Sequence, residues 1–314
     1  MRISLFFISF ALGISIFLLG LQLLGSTMSG ILGARLRAFL LRFTSTKLRS
    51  LMTGLITTGL VQSSSVVNST MVVLVDSRIL SMRQALGVIL GANIGTTVTA
   101  QIMALPVERL ALPLVVGGLL LVSLAKRPAL GGAVCSLGAV FFGLEFTTRV
   151  LAPVLKHPVV QASLVQLTET PIRACFVGAI LTALVQSSSA VTGLTIGLTR
   201  QGVLTLPAAI GVALGSNVGT VLTTLLASLG RSRASKATAY ADFLFNLGGV
   251  ILVLPIYPLF LRVIQLLSAQ PARQVAHAHS VFNVITAFVA LPLLDYLATL
   301  AWAGAGIRLR NKNK

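Results

Sequence analysis

Gln62-Ser63-Ser64-Ser65, with Gly91-Ala92-Asn93-Ile94-Gly95-Thr96 behind it, returns later in the chain as Gln186-Ser187-Ser188-Ser189 and Gly215-Ser216-Asn217-Val218-Gly219-Thr220. Both motifs move by one distance, 186 − 62 = 124 and 217 − 93 = 124, as a duplicated unit moves them. The register extends beyond the motifs: Gly54 matches Gly178, Gly87 matches Gly211, and Thr99 matches Thr223. The first repeat is placed at about residues 51–105 and the second at about 175–229. Each is expected to hold an apolar segment with the Gln-Ser-Ser-Ser element, a short loop (Asp76–Arg83; Thr199–Val203), and a second apolar segment with the Gly-x-Asn-x-Gly-Thr element.

The surroundings of these polar motifs set the fold class. The chain has 314 residues, 55% hydrophobic and only 10% charged, and its mean hydropathy is +0.96. Soluble domains carry about 25% charged residues. The composition therefore belongs in a bilayer, and the expectation is an all-α integral membrane protein with one transport domain over residues 1–314. Apolar runs approaching a span of about 20 residues are Ser4–Gly25, Leu110–Ala125, Ala129–Phe146, Tyr240–Leu261 and Val281–Trp302. The run after Arg2 exceeds a signal-peptide core and lacks a small-x-small cleavage pattern, so it reads as a retained first helix.

A net charge of +18 does not indicate nucleic acid here, because the cations sit in short connections between apolar runs. Arg35, Arg37, Arg42, Lys47 and Arg49 form one cluster; Arg231, Arg233 and Lys236 form a second; Arg308, Arg310, Lys312 and Lys314 form a tail. The positive-inside rule directs all three to the cytoplasm and the Glu145–Arg173 stretch outward, in a multi-pass protein. Cys135 and Cys175 lie in apolar segments and read as packing residues rather than a disulfide.

Three consecutive serines cannot face one way on a regular helix, since side chains step by about 100°. A helix interrupted at the motif removes that limit. Its N-terminal N–H groups and dipole, with serine hydroxyls and the Gln62 and Gln186 amides, make an anion site without fixed charge. Unwound carbonyls and Ser/Thr oxygens suit a hard cation such as sodium. The glycines at Gly87, Gly91 and Gly95, and at Gly211, Gly215 and Gly219, favour either close helix packing or a broken helix. Duplicated transporters place such sites at the midplane between repeats.

Other polar residues carry weaker signals. Phe245-Asn246 and Phe282-Asn283 echo one another, each nine residues before a proline, and an inter-helix hydrogen bond is the first expectation for the two asparagines. His277 and His279 lack a third metal ligand and read as loop or helix-start residues. Asp76, Asp242 and Asp295 suit protons, a cation or salt bridges. Asn68-Ser69-Thr70 matches a glycosylation sequon but is embedded beside the motif.

With these residues in hand, the chain resembles the bacterial sodium/phosphate cotransporters related to animal type II sodium-dependent phosphate transporters. The hallmark is a duplicated Gln-Ser-Ser-Ser element, each copy followed by a Gly-Ala-Asn-Ile-Gly-Thr-Thr-like element, here Gly91–Thr97 and Gly215–Thr220. The likeness runs from about Leu12 to Pro292. The family's Ala-His before each Phe-Asn element is kept at Ala278-His279 and replaced at Ala241-Asp242.

The resemblance implies two inverted repeats, each with a re-entrant hairpin and broken transmembrane helices, meeting around phosphate and sodium. Carried over, Gln62, Ser63, Ser64, Gln186, Ser187 and Ser188 contact phosphate; Ser65, Ser189, Asn93, Thr96, Asn217 and Thr220 lie nearer sodium. It implies sodium-coupled symport of inorganic phosphate by alternating access, with sodium as coupling ion, no cofactor and no enzymatic activity. Many bacterial relatives add a C-terminal soluble regulatory domain, and none is expected here. Membrane lipid is an expected partner, and a homodimer is compatible with this reading.

Three alternatives stand beside this reading. Neutral hydroxyl donors recognise a tetrahedral anion without naming it, so another oxyanion or a phosphorylated lipid head group fits as well. An intramembrane serine hydrolase is disfavoured, because neither serine run has a Gly-x-Ser-x-Gly elbow or an adjacent histidine or lysine base. A packing scaffold or channel without coupled substrate would leave the duplicated glutamines unexplained.

Overall fold

The computed structural model describes residues 3–105 and 110–304, all of whose regular structure is helical. Arg2, the Arg308–Lys314 tail and the side chains of Arg35 and Arg37 lie outside the described residues. Among the described residues, five helices are long and apolar enough to cross a membrane, and up to seven spans result if two sharply bent helix pairs each count as one. Large apolar side chains cover the outside: Leu266 is 86% exposed and Leu184 76%. A water-soluble protein does not leave such an envelope bare. The chain is a multi-pass membrane protein.

Six helices carry the duplicated sequence. They are α2 (Lys47–Val61), α3 (Ser64–Asp76), α4 (Met82–Met103), and α8 (Pro171–Val185), α9 (Ser188–Arg200), α10 (Leu206–Ala227). In each triplet the helices are 15, 13 and 22 residues long. Every boundary in the second triplet is the first shifted by 124, as 171 − 47 and 227 − 103 both show.

The glycine positions explain how the first and third helix of each triplet pack. A Cβ on Gly91 would lie 1.8 Å from the Leu51 carbonyl oxygen, and one on Gly54 would lie 1.9 Å from that of Val88. Gly215 against Cys175 (1.8 Å) and Gly178 against Val212 (2.0 Å) repeat the arrangement. Helix backbones touch at these points, as small-xxx-small seams permit. Contacts rise in step along both partners, Leu51 with Gly91 and then Leu55 with Gly95, so α2 runs parallel to α4.

The flanking helices depart from the sequence expectation in three places. The first helix does not end near Gly25: α1 (Ile3–Arg42) continues for 40 residues, because no proline interrupts it before the Thr46 side chain caps α2. The expected Val281–Trp302 span is two helices, α13 (Pro271–Ala290) and α14 (Leu294–Gly304), bent by 87° at the turn holding Pro292. In the Tyr240–Leu261 run, α11 (Arg233–Val253) passes through a 3₁₀ turn at Leu254–Ile256, which contains Pro255, into α12 (Tyr257–Leu267). Proline lacks the donor a continuing helix needs, and both sites follow from that. The remaining helices are α5 (Ala111–Ser123), α6 (Pro128–Leu155) and α7 (Pro158–Thr168), the last bent by 103° against α8. Cys135 and Cys175 are both free thiols.

Polar bonds tie the helix ends. Asp76, closing α3, accepts from the Ser232 backbone N–H (2.8 Å) and pairs with Arg231 (3.3 Å), both just beyond α10. Arg200, closing α9, donates to the Met103 and Leu105 carbonyls at the end of α4 (3.2 and 3.1 Å). Lys47 pairs with Asp295 at 3.0 Å, and Arg83 pairs with the same carboxylate. Asp76 and Asp295 are therefore salt-bridge residues.

Gly91→Ala is expected to force α2 and α4 apart and cost at least about 1–3 kcal/mol, whereas Gly117→Ala, with nothing within 4 Å, leaves stability equal or slightly higher. Thermal melts of the two purified variants in one detergent check this.

Candidate functional site

The Gln-Ser-Ser-Ser elements sit where the helices break. Gln62 follows α2 with φ 59° and ψ 23°, and Gln186 follows α8 with φ 58° and ψ 26°. A left-handed glutamine is strained relative to glycine. Its occurrence at both copies marks a conformation the fold imposes twice. Ser63 and Ser187 are then extended and act as N-caps, their hydroxyls accepting from the Val66 and Ala190 amides at 3.4 and 3.2 Å. Serine suits this position because its oxygen competes for backbone donors. The N–H groups of Ser64, Ser65, Ser188 and Ser189 open the new helices and have no intrahelical acceptor, which is the usual state of a first turn.

The two copies differ in their glutamines. Gln62 is half-buried; its Nε2 donates to the Gly59 carbonyl, and its Oε1 accepts from the Thr99 hydroxyl at 2.8 Å. Gln186 is exposed, and only its backbone N–H is bonded, to the Thr182 carbonyl. Ser64 and Ser188 are buried, and Ser63, Ser65, Ser187 and Ser189 are half-buried. Among the described residues no hydrogen bond directly joins the Gln62–Ser65 segment to Gln186–Ser189.

The Gly-x-Asn-x-Gly-Thr elements lie on unbroken helices, so the broken-helix alternative is corrected for them. Their glycines meet α2 and α8 at the seams described above, and no carbonyl is unwound for a cation there. Thr96 and Thr220 donate to the carbonyls of Ala92 and Ser216 at 3.0 and 2.9 Å. Asn93 and Asn217 each stand eleven residues into their helices, since 93 − 82 and 217 − 206 agree, and both are buried. Asn217 Nδ2 donates to the Ala213 and Leu214 carbonyls, both at 3.3 Å. Its Oδ1 faces His279 Nε2 at 3.3 Å. Asn93 Nδ2 is buried without a partner.

Several functional candidates escaped the motif search. His279 is not at a loop or helix start; it lies inside α13, fully buried, held by Asn217. Asn246 and Asn283 do not make the expected inter-helix bonds. Their Nδ2 atoms return to the Asp242 and His279 carbonyls one turn earlier, at 2.9 and 2.7 Å, and their Oδ1 atoms are buried without a partner. Thr192 on α9 meets Ser216 on α10 at 3.3 Å. Gln101 joins α4 to α13 through Ser280 (2.8 Å) and His277 (3.3 Å). Asn246, Asn283, His279 and Ser216 lie in elements the sequence had already singled out, whereas Thr192, Gln101 and Ser280 carried no sequence signal.

Each second hairpin helix also crosses to the other triplet: α3 packs against α10, and α9 against α4. Each triplet thus contributes one helix N-terminus, three serines and an Asn and Thr pair on helices that pack across to the other triplet. Among the described residues no group of three His, Cys, Asp or Glu side chains suits a transition metal. The donors are neutral N–H, O–H and amide groups, which fit an oxyanion and a hard monovalent cation.

Replacing Gln62 with glycine keeps the left-handed turn, while valine opposes it. Gln62→Val should therefore melt below Gln62→Gly, by an amount equivalent to about 1–2 kcal/mol, in thermal unfolding of the purified proteins.

Comparison with known proteins fits this arrangement. The Na+/Pi-cotransporter family model matches residues 16–149 and 153–295. Uncharacterized protein YqeW of Bacillus subtilis (strain 168) is 33% identical over 293 residues, covering 93% of this chain and 95% of that protein. The protein of Escherichia coli (strain K12) named "Putative inorganic phosphate export protein YjbB" is 28% identical over 271 residues; the match covers 85% of this chain and 50% of YjbB. Sodium-dependent phosphate transport protein 2A of Oryctolagus cuniculus is 33% identical over 134 residues, 41% of this chain and 21% of that one. No solved structure matches the chain. The chain belongs to the Na+/Pi-cotransporter family, whose members are phosphate transporters and not enzymes.

Proposed function

We propose that the protein is a sodium-coupled symporter of inorganic phosphate in a bacterial inner membrane, working by alternating access between two inverted repeats. The observation that carries this is the doubled helix break, with Gln62 and Gln186 in the same left-handed geometry and serines opening the next helix. Each 15-residue entry helix rises only about 22 Å, less than the roughly 30 Å hydrocarbon thickness. Each tip therefore ends inside the bilayer.

The end contacts support the inversion. Asp76 brings the end of α3 to the end of α10, and Arg200 brings the end of α9 to the end of α4. Because α4 and α10 follow α3 and α9 by short turns, one hairpin opens at the start of α4 and the other at its end. The two triplets then enter from opposite membrane faces, as inverted-repeat transporters do.

In this reading the first-turn N–H groups at Ser64, Ser65, Ser188 and Ser189 and the hydroxyls of Ser63, Ser64, Ser187 and Ser188 hold phosphate. Gln186 contributes its amide directly. Gln62 contributes after leaving Thr99, or by shaping the tip. Ser65, Ser189, Asn93, Thr96, Asn217 and Thr220 supply oxygens to sodium. A sodium ion about 4 Å from phosphate gains roughly 4 kcal/mol at an effective dielectric near 20, and the coupling is reciprocal. The name of YjbB specifies export; a carrier with alternately exposed sites runs in whichever direction the combined gradients set, so export is a second mode of the same machine.

Purified protein in liposomes should accumulate labelled phosphate when an inward sodium gradient is imposed, and should not with choline. Accumulation indifferent to sodium overturns the coupling; uptake of sulfate but not phosphate overturns the substrate. Gln186→Gly should lower uptake at least tenfold with a melting temperature close to the parent's.

A further inference from the structure

Asp242 is a carboxylate in the interior of an apolar helix, and the repeated motifs give it no task. It is 1% exposed, nine residues into α11, within the long span Arg233–Leu267. Among the described residues no Lys, Arg or His pairs with it. Its contacts are neutral. Thr224 Oγ1 donates to Oδ2 at 2.8 Å, Asn246 Nδ2 donates to Oδ1 at 2.8 Å, and the Asn68 side chain of α3 donates to the carboxylate as well. A charge taken out of water is not balanced by neutral donors alone.

The neighbouring atoms indicate what completes it. Asn246 Nδ2 also donates to the Asp242 main-chain carbonyl at 2.9 Å, so both acceptors fix the amide with its nitrogen toward the aspartate. The Oδ1 on the same carbon is left buried and unpartnered, and so is Oδ1 of Asn68. The carboxylate and the Thr224 hydroxyl, with the unsatisfied oxygens of the two amides that donate to that carboxylate, are all oxygen ligands within one small cluster. That is the chemistry of a hard monovalent cation. At the echoed position His279 precedes Asn283 by four residues, as Asp242 precedes Asn246; His279 Nε2 faces Asn217 Oδ1, while His279 Nδ1 and Asn283 Oδ1 are buried without a partner. The Asp242 position differs in carrying a carboxyl group beside its orphaned amide oxygen.

We propose that Asp242, Asn246, Asn68 and Thr224 form a sodium site of their own, distinct from the oxygens of the two repeated motifs. The identity of the ion rests on the symport reading above. The ligands come from α3 in the first triplet, α10 in the second, and α11 between them and the tail. Binding an ion there draws the two triplets together, so occupancy of the site favours one arrangement of the halves over another.

The test uses the purified full chain without phosphate, with sodium chloride titrated against choline chloride at constant ionic strength. Sodium should raise the melting temperature of the parent protein. Asp242→Asn should reduce that rise by half or more, Asp242→Glu should retain part of it, and in liposomes Asp242→Asn should raise the sodium concentration for half-maximal uptake at least tenfold. Asparagine closely mimics a protonated aspartate. If Asp242 merely carries a proton, Asp242→Asn will respond to sodium as the parent does, and the proposal is overturned. A parent protein that shows no sodium-dependent melting overturns it too.

Should Asp242→Asn fail to fold, Asn246→Leu removes an unpartnered oxygen and leaves the carboxylate, and the same loss of response is expected. An undiminished response in that folded variant overturns the site. Parent uptake that ignores sodium while sodium still stabilises the parent and not Asp242→Asn sinks the symport reading and leaves the site standing. Equal sodium responses in parent and variant do the reverse.

Discussion

A helix that stops inside hydrocarbon leaves backbone donors and acceptors with no water to take them, and each unsatisfied group costs several kcal/mol. In the proposed arrangement this chain does that twice, at the breaks after α2 and α8. The break at Gln62 is tolerable only where protein surrounds it. The backbone contact between α2 and α4, made possible by Gly54 and Gly91, supplies one wall. The crossing of α3 onto α10 supplies another. The second triplet solves the same problem with Gly178 and Gly215. Glycine recurrence and the serine motif are thus one device: the seam brings a solid helix against the broken one, and the serine caps the restart.

That device also explains what sequence could and could not reveal. The duplication, the membrane class and the family are legible because they depend on local spacing and composition. The equal helix boundaries at a shift of 124 are the structural form of a regularity already visible in the letters. The Gly-x-Asn-x-Gly-Thr element was ambiguous for a physical reason. Glycine serves close packing and helix breaking alike, and the choice depends on whether another backbone lies opposite, which no single segment encodes. The bend at Pro292 was blurred because hydropathy continues across it, and apolarity measures the solvent and not the direction of the helix.

The pairings that sequence did not reveal share a different cause. His279 with Asn217 and Thr224 with Asp242 meet across 62 and 18 positions, and nothing in either partner's neighbourhood announces the other. The expected inter-helix bonds of Asn246 and Asn283 failed because an asparagine in a helix finds its carbonyl four residues back first. That preference leaves the amide oxygen pointing away from the helix. An asparagine satisfied through nitrogen alone is a ready acceptor for something else. The same local rule that defeated one expectation creates the donors of the Asp242 cluster.

The two halves are not identical, and the differences bear on which way the carrier rests. Two identical repeats would present two identical energy wells, and a carrier with wells of equal depth has no preferred resting side. This chain departs from identity in the places that touch the interior: Gln62 is engaged by Thr99 while Gln186 is free in its side chain, and aspartate stands at one echo where histidine stands at the other. Each difference biases one half against the other by the energy of a hydrogen bond or a charge. Hydrogen bonds contribute about 1 kcal/mol net and a shift of 1.4 kcal/mol changes a population tenfold. In the proposed alternating-access cycle, a single such contact, made in one arrangement of the halves and broken in the other, is enough to set which side the empty carrier faces.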